Sequence, residues 1–148
     1  MTEERVTISI LNWLKEKDWE IVAFDFPQSG TGKVLHKNGS TNKNQDTIIP
    51  DIIAVKGGVS LFFENKNKYY YKDFEKLNQL REDNQYTQDI NSLLEEYHIS
   101  RIYYGIGFPE VIYTQRVKKI ESMVDFIIGV KENGGLAVVY SDPVVPLE

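Results

Sequence analysis

Residues 50–66 read Pro-Asp-Ile-Ile-Ala-Val-Lys-Gly-Gly-Val-Ser-Leu-Phe-Phe-Glu-Asn-Lys, and this stretch decides the fold. Residues 51–55 and 59–66 are rich in β-branched and aromatic side chains and predict two strands. The glycines of the Lys56-Gly57-Gly58 link predict a hairpin between them. Ile52, Ile53, Ala54, Val55, Leu61, Phe62 and Phe63 leave almost no polar alternation, so both faces of the hairpin are expected to be covered. Pairing then sets Asp51, at the start of the first strand, beside Glu64 and Lys66 at the end of the second. Side chains alternate along a strand, so Glu64 and Lys66 point one way and Asn65 the other. Two carboxylates and an ammonium at the rim of an apolar sheet are costly unless something compensates them. A divalent cation would.

The rest of the chain is read outward from there. Val6, Ile10, Trp13 and Leu14 fall at helical spacing and predict a helix over 2–17, with Thr2, Glu3 and Glu4 as its start signal. Residues 19–26 (WEIVAFDF) predict a strand. Residues 27–49 are rich in Gly, Asn, Ser and Lys, with little periodicity, and predict a long loop that is functional or disordered. Beyond the hairpin, 68–97 reads as helical, with a stripe of Tyr86, Ile90, Leu93, Leu94 and Tyr97 and a polar break within 78–84. Residues 99–108 predict a strand stopped by Pro109, and Tyr103 and Tyr104 lie on it. Residues 115–133 predict an amphipathic helix whose inner face is Val117, Ile120, Val124, Ile127 and Ile128, with Gly134 as its stop. Residues 136–140 predict a last strand. The order is α-β-β-β-α-β-α-β: an α/β domain with a mixed central sheet flanked by helices. The 148 residues contain no repeat and no linker, and predict a single domain over 1–146. The closing Leu147-Glu148 reads as residues appended to the natural chain, without structural weight.

Asp51, Glu64 and the backbone carbonyl of Asn65 offer hard oxygen ligands suited to Mg²⁺, which keeps several waters and open positions for phosphate oxygens. Beside such a site, Lys66 would orient or help deprotonate an attacking water and stabilise charge on a phosphorus centre. Pro50-Asp51, a twelve-residue gap, then Glu64-Asn65-Lys66 resembles the PD-(D/E)xK nuclease superfamily, the restriction-endonuclease-like fold. The resemblance covers about residues 2–108 and includes that family's αβββαβ core. It implies Asp51 and Glu64 as metal ligands, Lys66 as the catalytic lysine, and a further carboxylate from the first helix, Glu4 or Glu3. It implies a Mg²⁺-dependent endodeoxyribonuclease, with Mn²⁺ as a substitute, similar to type II restriction enzymes. A Holliday-junction-resolvase-like nuclease and a non-catalytic nucleic-acid-binding module are the alternatives. No Gln-x-x-x-Tyr pattern follows the Glu-x-Lys, which argues against the RecB-like exonuclease branch. Restriction and resolution both require two cuts, which implies a homodimer, formed through an exposed face of the helix over 117–128.

Charge distribution fits a localised anion-binding face. Lys33 to Lys72 holds seven bases and three acids, +4, while the remainder holds ten bases and nineteen acids, −9. Lys33, His36, Lys37, Asn38 and Lys43 in the loop, with Lys68 and Lys72 beyond the hairpin, are the candidate DNA contacts. Tyr69-Tyr70-Tyr71 could stack on bases. Gly30-Thr31-Gly32-Lys33 is not a nucleotide-binding loop, because Pro27 stands where that pattern needs glycine and Val34 where it needs Ser or Thr. The chain has no cysteine, which excludes disulfides, thiol catalysis and a Cys-ligated zinc. His36 and His98 are too far apart in sequence to suggest a metal pair. No run approaches a membrane span, and the acidic, polar 1–5 does not read as a secretory signal. A soluble cytoplasmic protein is expected.

Overall fold

A computed structural model describes residues 1–26, 32–39 and 47–147. Helix α1 spans Glu3–Glu16 and is capped by Thr2, whose hydroxyl accepts from the Arg5 N–H at 3.1 Å. Its buried stripe is Val6, Thr7, Ile10, Leu11 and Leu14. Strand β1 (Glu20–Phe24) follows, then a small two-stranded ribbon of β2 (Leu35–His36) and β3 (Thr47–Ile48), both within the segment predicted as loop. The hairpin is β4 (Ile52–Lys56) and β5 (Val59–Asn65). Gly57 and Gly58 have φ of 54° and 82°, as a two-residue turn with both central residues left-handed requires.

Helices α2 (Tyr71–Asp83) and α3 (Thr87–Leu94) come next, separated at Asn84, whose φ is 54°. The break falls at the end of the polar stretch that predicted it. Strand β6 (Arg101–Pro109) leads through short helix α4 (Gln115–Lys118) to β7 (Phe126–Val130) and β8 (Leu136–Ser141). The main sheet has the order β1-β4-β5-β6-β7-β8. Pairs β5–β6 and β6–β7 are parallel and the other three are antiparallel. It is a six-stranded mixed sheet with helices on both faces.

The near-continuous apolar run of the hairpin divides as a doubly covered sheet requires. Ile52, Ala54, Leu61 and Phe63 join the core beneath α1, and Ile53, Val55 and Phe62 join the core beneath α2 and α3. Among the described residues no helix is long and apolar enough to cross a membrane.

The predicted helix over 115–133 is corrected. Only Gln115–Lys118 is α-helical, Glu121–Met123 is a single 3₁₀ turn, and Phe126–Val130 is a strand between β6 and β8. Phe126, Ile128 and Val130 bury on the α1 side, and Val124 and Ile127 on the other. A strand covered on both faces shows no alternation, and its apolar run imitates a helical stripe. Gly134, with φ of 88°, turns β7 into β8 instead of stopping a helix. The dimer surface assigned to 117–128 goes with that helix, because Val117, Val124, Ile127 and Ile128 are core.

Leu147, given no structural weight above, is corrected in that respect. It is 4% exposed and packs with Val145 into the core beneath α1. Leu147→Ala is therefore expected to lower unfolding free energy by about 2 kcal/mol, the low end for a buried leucine, in urea denaturation. An unchanged midpoint would show that Leu147 adds nothing to the core.

Candidate active site

The hairpin ladder runs one residue past β4. The Asp51 N–H donates to the Phe63 carbonyl at 2.9 Å, and the Asp51 carbonyl accepts from the Asp25 N–H at 2.9 Å. With its backbone fixed on both sides, Asp51 turns its carboxylate onto β5, where Oδ2 accepts the Asn65 N–H at 2.6 Å. Glu64, 7% exposed, faces α2, and each of its oxygens meets a different lysine. Lys66 Nζ lies 3.8 Å from Oε1 and Lys76 Nζ lies 3.2 Å from Oε2. Asp51, Glu64 and Lys66 thus converge at the open end of the hairpin.

The opposite face of β5 fixes the helix that completes the cluster. Asn65 is buried and donates through Nδ2 to Thr7 Oγ1 at 3.1 Å, pinning α1 to the end of β5. The neighbouring strand position must be glycine, since a Cβ on Gly107 would lie 2.5 Å from Asn65 Oδ1 and 2.2 Å from Ile10 Cδ1. Glu3 stands one helical turn before Thr7 and shares its face. Glu3 Oε1 accordingly reaches Lys66 Nζ at 3.9 Å, whereas Glu4 is exposed on another face. Of the two acids, Glu3 is the one that meets Lys66.

Two residues escaped the sequence reading. Asp73 and Lys76 stand three apart on α2, each just before a buried residue, Phe74 and Leu77, so both border the buried stripe at the end facing the hairpin. That position beside the Glu-x-Lys strand was the available signal. Asp73 Oδ2 is buried without a hydrogen-bond partner.

The electrostatics follow from this crowding. Burial first, and the Glu64 charge second, push the Asp51 carboxyl up to about 7, against the opposing pull of the Asn65 N–H, Lys66 and Lys76. Burial also raises Asp73, with Glu64 and Glu3 adding to it. Burial draws the Lys66 ammonium down, but Asp73, Glu64, Glu3 and Asp51 outweigh it and hold it above the usual lysine range. Lys66 is a fixed positive charge, further confined by the Tyr70 ring 5.6 Å away.

Among the described residues no group of three or more His, Cys, Asp or Glu side chains is arranged to hold a metal ion. A cation here would have the Asp51 and Glu64 carboxylates as its side-chain ligands, with the rest from backbone and water. That donor set fits Mg²⁺, which keeps much of its hydration. Two crowded carboxylates, one of them raised to about 7, are what a divalent cation would relieve.

The candidate DNA contacts divide. Lys68 and Lys72 are exposed beside the cluster, as are Tyr70 and Tyr71. Tyr69 instead packs on Phe74 and carries the Arg116 guanidinium 4.1 Å above its ring. Arg81 ties α2 to the β6–β7 crossover through Asp125 and the Ser122 carbonyl, both at 3.0 Å. Exposed Arg116, Lys118 and Lys119 of that crossover are bases that the helical reading of 115–133 hid.

Among the loop residues, His36 and Asn38 are engaged within the fold. The His36 N–H and Nδ1 both bond the Asp89 carboxylate, at 2.7 and 3.0 Å. Asn38 accepts from the Gln88 N–H and donates to Thr87 and to the Asn84 carbonyl, past the far end of α2. That is about 20 Å along the helix from its start beside the cluster. Lys33 is exposed and lines a cavity of about 560 Å³ between α1 and β1, which no residue of the charged cluster lines. Lys37 is partly exposed next to Asn38, and Lys43 lies outside the described residues.

Comparison of the chain with protein-family models, curated proteins and solved structures returns no match.

The raised Asp51 carboxyl has a consequence for stability. An acid with a folded value near 7 and an unfolded value of 3.8 keeps its proton in the fold, so ionising it costs stability as pH rises from about 4 to about 7. Asp51→Asn, which still accepts the Asn65 N–H, should exceed the wild type by about 2–4 kcal/mol at pH 8 in metal-free buffer. The gap should close toward pH 4. A variant no more stable than wild type at pH 8, by urea denaturation, would show that the carboxylate is not strained.

Proposed function

We propose that this protein is a Mg²⁺-dependent endodeoxyribonuclease that hydrolyses DNA phosphodiester bonds in the manner of the PD-(D/E)xK, restriction-endonuclease-like enzymes. One observation carries the reading: Asp51, Glu64 and Lys66 meet at the open end of one hairpin, with Glu3 of the first helix against Lys66. The succession α1, β1, β4, β5, α2, β6, with those strands in the sheet order β1-β4-β5-β6, supports it as the arrangement the αβββαβ core requires. A site at the open ends of two central strands also suits a polymer better than an enclosed pocket would.

The chain's own groups have separable tasks. Asp51, Glu64 and the Asn65 carbonyl would hold Mg²⁺, with Mn²⁺ as a substitute. The ion, when bound, supplies Lewis-acid polarisation of the phosphate and a lowered pKa for a bound water. Asn65 orients Asp51 through its N–H, and through Thr7 it sets the rotation of α1 that brings Glu3 to Lys66. Lys66, held as an ammonium, places its charge on the phosphate oxygens as negative charge develops there and donates to the attacking water's oxygen to orient it. Cutting both strands of a duplex calls for two copies acting together.

Supercoiled plasmid and a synthetic four-way junction, each incubated with Mg²⁺ or Mn²⁺, test the reading. Discrete plasmid products are expected from the wild type, and Lys66→Met should be slower by about 10²-fold or more while still binding Mn²⁺. Glu64→Gln should lose both binding and cleavage. Resolution of the junction alone would make the enzyme a resolvase. No cleavage of either substrate, with wild type and Lys66→Met indistinguishable, would leave a non-catalytic nucleic-acid-binding module.

The phosphate-facing surface follows from the same geometry. Residues 66–72 and 113–119, joined where Arg116 covers Tyr69, carry six bases and no acid. Replacing Lys68, Lys72 and Arg116 together by Ala should lower the slope of log affinity against log salt by about 3, and Lys37→Ala with Asn38→Ala should leave it unchanged. The reverse pattern would move the DNA to the loop.

A further inference from the structure

We infer that Lys76 is a built-in stand-in for the divalent cation, and that it gives up Glu64 by moving to Asp73 when the ion binds. The inference rests on the metal reading above and adds to it two positioning residues on α2. Lys76 Nζ contacts Glu64 Oε2 at 3.2 Å, while Lys66 is farther, at 3.8 Å from the other oxygen. An incoming ion therefore competes for Glu64 with Lys76 before anything else. Lys76 has somewhere to go. Asp73 lies three residues earlier on the same helix, within reach of a lysine by the ordinary i, i+3 geometry. Its Oδ2 is buried and lacks a donor, the one carboxylate oxygen in the described cluster left in that condition. Lys76 is also the more exposed partner of its pair, its side chain 36% exposed against 10% for the Glu64 side chain alone, so the lysine and not the glutamate has room to swing.

Two arrangements follow. Without metal, Lys76 neutralises Glu64, and Asp73 Oδ2 is unpaired. With metal, Glu64 faces the ion and Lys76 pairs with Asp73, which gives Asp73 Oδ2 a donor and removes a cation that would repel the ion. The device keeps the site folded when empty and makes metal affinity depend on an exchange of partners on one helix.

Mn²⁺ titration of the full chain by calorimetry, with no nucleic acid present, separates this from its alternatives. Lys76→Met and Lys76→Gln should bind Mn²⁺ about tenfold more tightly than wild type, because a positive charge competing for the same carboxylate is gone. Lys76→Arg should stay close to wild type. Asp73→Asn should weaken binding several-fold in the wild-type background and clearly less alongside Lys76→Met, since Asp73 acts chiefly through Lys76. Unchanged or weaker Mn²⁺ binding in both Lys76→Met and Lys76→Gln overturns the stand-in and leaves the metal site itself in place. An Asp73→Asn effect undiminished alongside Lys76→Met overturns the exchange and leaves Asp73 acting on the ion through its own charge. Failure of the wild type and every variant to bind Mn²⁺ overturns the metal reading, and this inference with it.

Discussion

The hydrogen bond from the Asn65 N–H to the Asp51 carboxylate, 2.6 Å long, holds an acid where the fold would otherwise not tolerate one. The hairpin beneath it is apolar on both faces, so the carboxylate cannot turn inward, and Glu64 occupies the adjacent position on the next strand. The lysines of the cluster answer that crowding, and two further acids join it. Lys66 and Lys76 divide the two oxygens of Glu64, Glu3 meets Lys66 from α1, and Asp73 adds a further acid to the same space. The arrangement is unfavourable for stability and suited to capturing a cation. Such a conflict between local cost and retained geometry is commonest at functional sites.

Position within the fold came from features that are local in sequence. Two glycines at positive φ set the hairpin turn, and the two-residue repeat of a strand then dictates which of residues 51–66 share an edge. Asp51, Glu64 and Lys66 could be placed together for that reason. The same logic fails where neighbours in space decide. Phe126–Val130 is an apolar run that a helix or a central strand would accept equally, and only its place between β6 and β8 resolves it. Leu147 gains its burial from the core beneath α1, which nothing in its immediate sequence announces.

Glu3 and Glu4 show the same limit on the scale of one residue. Choosing between them requires the rotation of α1 about its axis, which is fixed by Thr7 against Asn65, 58 residues away. Asp73 and Lys76 depend on how α2 docks over the hairpin. His36 and Asn38 look suited to base or phosphate contact by residue type, yet Asp89 and the α2–α3 turn engage their polar atoms within the fold. Residue chemistry and strand spacing placed Asp51, Glu64 and Lys66 together because those residues sit on one hairpin. For residues drawn from several elements they identified the type of group needed and not the individual.

Diffraction from crystals soaked in Mn²⁺, with the anomalous signal of the ion located directly, bears on all of this at once. The account predicts a single strong peak bridging the carboxylates of Asp51 and Glu64, within roughly 2.3 Å of an oxygen of each. A map without such a peak at full soak, or with manganese bound elsewhere and both carboxylates unmoved, would contradict it.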